Sequence, residues 1–222
     1  MNKKTSASVY RTVLNITLFS SIDQIGGFVY TIILSRAIGA QGLGAYQVAT
    51  NIVGLVVAIS ASGLPFVLGR RVAEFDAIGD TYSQHSTITA GLATGTTLSA
   101  IICIVFLTNN DMLVSITNSN HIATMCLFLL PASFANALYA CFKGALWGKK
   151  EYTKHSGLEI VDIVVRIFFA LIIFQGFFTQ YQGELRACLA YSMSCLITAF
   201  LSFVKSKMRI FQNSCFLRKY MI

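Results

Sequence analysis

Charge is scarce in this sequence. Asp, Glu, Lys and Arg make up 12% of its 222 residues, about half the share of a soluble domain. Apolar residues make up 55% and mean hydropathy is +0.66. A helix crossing a bilayer needs about 20 mostly apolar residues, and the chain has room for about six. A soluble globular domain is thereby excluded, and the expectation is an all-α, polytopic membrane protein. Catalytic signatures are missing too: there is no HExxH, no GxSxG and no paired-aspartate motif. The reading is therefore of a non-enzyme, with no cofactor called for. Six cysteines (103, 126, 141, 188, 195 and 215) form no CxxC pair, so no disulfide framework or metal site is implied. Five of them lie in or beside apolar segments, where cysteine acts as a small packing residue.

What charge there is has a pattern. The net charge of +8 does not point to nucleic acid, because the basic residues fall in short clusters between apolar segments. The apolar segments lie at about 12–35, 45–69, 86–107, 121–142, 158–178 and 185–204, giving a six-helix unit over 1–205 and a basic tail over 206–222. Lys3, Lys4 and Arg11 precede the first segment, and Arg70 and Arg71 end the second. Four lysines lie between 143 and 154, and five Lys or Arg from 205 onward. Placing these segments on one side collects 14 of the 17 basic residues. The loop at 108–120 holds none. Positive residues stay on the cytoplasmic side, so six spans with both termini cytoplasmic, in a cell membrane, are expected. The first apolar stretch runs too long for a signal peptide and has no cleavage site, so it is retained.

Several spans carry polar groups that lipid alone would not favour. Asp23 lies about twelve residues after Arg11, near mid-membrane at 1.5 Å per residue, with Gln24 beside it and Asn51 in the second span. Glu159, Asp162 and Arg166 are spaced i, i+3, i+7 and share one helix face. A lone intramembrane charge costs several kcal/mol, about 2.5–3.5 on insertion scales, so Arg166 needs a partner, with Asp162 one turn away as the nearest. Asp23, Gln24, Asn51, Glu159, Asp162 and Arg166 are the candidate lining of a cavity for a substrate or coupling ion; a structural ion pair and interhelical hydrogen bonds are the plainer reading. His85, His121 and His155 read as surface residues in connections. Gly39, Gly42 and Gly44 read as a turn between the first two spans, with a polar connection at 72–85. Thr and Gly in the first half of the third span suit close helix contact.

The stretch GGFVYTIILSRAIGAQGLGAYQVA, followed by GLPFVLGRRVAE, resembles the start of the stage V sporulation protein B group. That group belongs to the multidrug/oligosaccharidyl-lipid/polysaccharide (MOP) flippase superfamily. Ser35-Arg36 before Ile38-Gly39-Ala40, then Gly42, Gly44, Tyr46, Gly63, Pro65 and Val72-Ala73-Glu74, carry the likeness, with Phe142–Gly148 and Glu159…Arg166 further on. It implies the N-terminal six-helix lobe of a two-lobe flippase working by alternating access, with membrane lipids, a lipid-linked saccharide substrate and a second lobe or second copy as partners. Gln24 and Tyr30 stand where relatives that flip lipid II carry arginines. Two alternatives stand beside this reading: a cation-coupled multidrug exporter of the same superfamily, and a non-transporting membrane scaffold or decaying fragment.

Overall fold

The computed structural model describes residues 3–175 and 183–220, with side chains described for 13–109, 111–175 and 183–204. Helix α1 (Lys3–Ala61) is two rods joined at one residue, Gly39, whose φ of 74° and ψ of 176° lie outside helical space. That region is essentially reserved for glycine, so the turn expected from three glycines is made by one. Gly42 and Gly44 are helical.

A second break falls at Ser62–Gly63, where Pro65 opens α2 (Leu64–Ile78). This corrects the expected connection at 72–85. Polarity rises after Arg70, but the helix continues, because Glu74 pairs with Arg70 at i,i+4 (3.0 Å) and with Arg71 at i,i+3 (3.4 Å). Such pairs support a helix after its apolar face has ended. The true connection is Gly79–Asp80. Gly79 closes α2 in the left-handed region (φ 79°), and Asp80 caps α3 (Thr81–Thr108) by accepting from the Ser83 N–H. The loop at 108–120 contains a short helix, α4 (Asn110–Thr117), followed by α5 (Asn120–Gly148), α6 (Tyr152–Phe174) and α7 (Gly183–Tyr220). The turn expected at 180–184 lies mostly outside the described residues. Helix α7 is apolar only to Val204 and then continues through the basic tail.

Among the described residues there is no strand. Four segments (Val13–Ile78, Thr81–Thr108, Asn120–Gly148 and Gly183–Val204) are long and apolar enough to cross a membrane. Helix α6 has the length but carries Glu159, Asp162 and Arg166. The chain is an all-α polytopic membrane protein.

Helix α5 is the hub, packed against α7, α2, α1 and α3. Lipid tails are as apolar as leucine, so helices associate in a membrane through close packing between small residues. Helix α5 supplies them: Ala132, Ala135, Ala137, Gly144 and Gly148 are buried. A Cβ on Gly144 would lie 2.9 Å from Pro65 Cα, and one on Gly148 would lie 2.8 Å from the Gly69 carbonyl oxygen. Helix α3 packs the same way, with Gly91 and Gly95 against Leu68 and Leu64, as its small-residue half leads one to expect. The core centres on Leu34, Ala49, Met125, Leu129, Ala170 and Cys188, while Phe28, Leu55, Ile59, Ile101, Phe168 and Phe200 point outward. An apolar outside around a small-residue inside suits lipid rather than water.

Candidate functional site

Four helices each turn polar residues toward one cleft of about 220 Å³. Helix α6 contributes Glu159, Asp162, Ile163 and Arg166, the single face that their spacing implies. Helix α1 adds Asp23 and Gly27, four apart; α5 adds Asn136 and Tyr139, three apart; α7 adds Cys195 and Thr198, three apart. Each pair is a single helical turn, so α1, α5 and α7 each give one turn to the lining and α6 gives two.

Arg166 holds the centre. Its Nη2 donates to Asp162 Oδ2, as the i,i+4 spacing suggests. Thr198 Oγ1 lies 2.7 Å from the other Asp162 oxygen, tying α6 to α7. The guanidinium sits 4.7 Å from the centroid of the Tyr191 ring and 5.9 Å from that of Tyr30, a cation–π arrangement that gains strength away from water. Tyr30 is buried, with its hydroxyl 3.3 Å from that of Tyr46. One donor is left over: the buried Arg166 Nε–H has no hydrogen-bond partner among the described residues.

Glu159 anchors a second cluster. Lys143 Nζ lies 3.4 Å and His155 Nε2 3.2 Å from Glu159 Oε1. The Tyr139 hydroxyl lies 3.2 Å from His155 Nδ1, and the Lys143 ammonium lies 5.1 Å from the centroid of the Trp147 ring. His155 is only 5% exposed, which corrects its reading as a surface residue. Helix α6 begins at Tyr152 rather than near 158, so His155 sits in its first turns and packs against α5.

Asp23 differs from the other two acids. It lines the cleft but forms no hydrogen bond or ion pair among the described residues, so it is not the partner of Arg166.

Of the six residues singled out in sequence, the structure brings Asp23, Glu159, Asp162 and Arg166 together. Gln24 and Asn51 are exposed and lie off the cleft. Gln24 follows Asp23, which turns it about 100° around the helix. Asn51 is on the second rod of α1, on an exposed face with Leu55 and Ile59. Asn136, Tyr139 and Thr198 were not singled out. Only their polarity inside apolar helices marked them.

The model of the polysaccharide biosynthesis protein family matches residues 9–222. The chain is also similar to stage V sporulation protein B of Bacillus subtilis (strain 168), at 24% identity over 193 residues. That match covers 84% of this chain and 37% of the relative, so the chain spans well under half of that protein's length. No solved structure matches it. A family match across nearly the whole chain settles the assignment: the chain belongs to the polysaccharide biosynthesis protein family.

Proposed function

We propose that the chain is one lobe of a flippase that moves a lipid-linked oligosaccharide or polysaccharide precursor across the cell membrane. The observation that carries this reading is the cleft. Three carboxylates, a guanidinium, an amide, a phenol and a hydroxyl converge within an apolar bundle, where ionisable groups are expensive and mark substrate or ion paths. A scaffold would have no use for an open cavity lined this way.

Alternating access rocks two halves around a site between them. The second half is either another six-helix lobe or a second copy of this chain. Both termini are cytoplasmic in this reading, which follows from the basic clusters. The role is transport rather than catalysis.

The test is reconstitution in liposomes with a fluorescent lipid-linked sugar, for the chain alone and for the chain co-expressed with a second lobe. Flipping is expected only with two lobes present, from a second gene product or from a dimer. No flipping in any assembly would refute the reading. A second reading, the cation-coupled exporter, is favoured by the unpartnered carboxylate of Asp23. Sodium- or proton-driven efflux of a cationic drug, without flipping, would select it.

A further inference from the structure

The cations in and behind the cleft are already paired, and this limits what it can hold. Arg166 is committed to Asp162 and enclosed by Tyr191 and Tyr30. Lys143, behind the lining, is committed to Glu159 and Trp147. No cation among the described lining residues is left for a phosphate, and the one carboxylate without a partner, Asp23, would repel it. A diphosphate entering here meets three carboxylates and a single, already paired, guanidinium. Recognition of a phosphate calls for the opposite arrangement, a free guanidinium fork or ammonium aimed at it.

The groups left open suit neutral hydroxyls. Asp23 accepts hydrogen bonds and receives none among the described residues. The Arg166 Nε–H has no acceptor among the described residues but is itself buried, so the open donor facing the cleft is the Asn136 amide. Asn136 offers both functions; its only hydrogen bond among the described residues is a weak one, Nδ2 to Cys195 Sγ at 3.7 Å. A sugar ring presents adjacent hydroxyls that both donate and accept, so it can satisfy an open acceptor and an open donor together. Asp23 on α1 and the Asn136 amide on α5 line the same cleft, and one ring can bridge them. Size agrees: a cavity of about 150 Å³ holds a benzene, so a cleft of about 220 Å³ has room for a sugar ring.

We propose that this cleft takes a single uncharged sugar ring of the lipid-linked substrate and leaves the pyrophosphate outside it. The inference rests on the transport reading above and assigns that substrate's sugar to this lobe's cleft. The lipid-linked pyrophosphate is then held elsewhere, by the second lobe or at the membrane surface.

The test uses the full chain in detergent, with N-acetylglucosamine and inorganic pyrophosphate as probes. Saturation-transfer NMR reads sugar contact at millimolar concentration, and the phosphorus line width reads pyrophosphate. Sugar protons should be saturated, with no displacement by equimolar pyrophosphate. Asp23→Ala and Asn136→Ala should each weaken sugar binding, Asp23→Ala about tenfold or more, as loss of a hydrogen bond to a charged group gives. Pyrophosphate that displaces the sugar, or binds in a way that Arg166→Leu abolishes, would overturn the proposal. Absence of sugar saturation also overturns it, and flipping by a two-lobe assembly would then leave the transport reading intact. Sugar binding without flipping in any assembly would keep the site and sink the transport reading instead.

Discussion

Replacing Arg166 with leucine is the sharpest perturbation of the cleft. The substitution removes the guanidinium but leaves Asp162 with only Thr198 as a partner among the described residues, so an uncompensated carboxylate stays inside the bundle. Breaking a fully buried ion pair costs about 3–5 kcal/mol. The Arg166 and Asp162 side chains are 22% and 21% exposed, so water reaches them in part and the lower end applies. Losing the ring contacts with Tyr191 and Tyr30 adds about 0.5–1 kcal/mol. A loss of about 3.5–4 kcal/mol follows, a large share of the about 5–15 kcal/mol that holds an ordinary protein folded. The second substitution decides the cause. Arg166→Leu with Asp162→Asn removes the stranded charge and should recover at least half of the loss, whereas Arg166→Leu with Asp23→Asn should recover little, because Asp23 is not the partner. The assay is the monodisperse fraction after detergent extraction, followed over a temperature ramp, for the wild type, the single variants and both doubles. Equal stability of Arg166→Leu and wild type would refute the ion pair as a structural element. Rescue by Asp23→Asn rather than Asp162→Asn would refute the assignment of the partner.

Gly148→Val should destabilise by about 1–3 kcal/mol or more, because its Cβ would lie 2.8 Å from the Gly69 backbone oxygen, which cannot rotate away. Gly27→Ala should not destabilise, since nothing lies within 4 Å of a Cβ there; thermal ramps on the two variants check both expectations. At the α2–α3 connection, the Ser83 hydroxyl (2.6 Å) and backbone N–H (3.1 Å) hold the Asp80 carboxyl below its usual range. Its folded-state pKa is depressed, so its contribution is present above about pH 4 and is lost as pH falls through the folded value. Asp80→Asn should therefore flatten the acid limb of stability against pH, and an unchanged limb would refute the cap. Cysteine labelling in intact cells should reach Asn118→Cys but not Lys150→Cys; labelling at 150 would overturn the proposed orientation.

The membrane class was legible because apolar runs of spanning length have no other explanation in a chain with so little charge. The inner face of α6 was legible for a related reason. Charges inside a bilayer cost several kcal/mol, so Glu159, Asp162 and Arg166 are confined to the few positions where the cost is offset, and their spacing gives the face directly. Helix ends were less legible. The end of α2 was missed because hydropathy falls at Arg70, while the i,i+3 and i,i+4 pairs to Glu74 hold the backbone helical through Ile78.

The neutral part of the cleft was hidden for a deeper reason. A threonine in an apolar helix can satisfy its hydroxyl within its own helix, by donating to the carbonyl four residues back. Thr97 does this toward Ala93 (2.7 Å) and Thr108 toward Ile104 (2.9 Å), and both are exposed. Thr198 has the same bond available, toward Ser194 (2.9 Å), and yet also lies 2.7 Å from Asp162. In the sequence the three threonines look alike. What separates Thr198 is a carboxylate 36 residues earlier on another helix, and no local pattern records that. The cleft of this chain is therefore readable from its charges inward. Its acids and its arginine mark where it lies, while its amide, phenol and hydroxyl become visible only once the helices are packed.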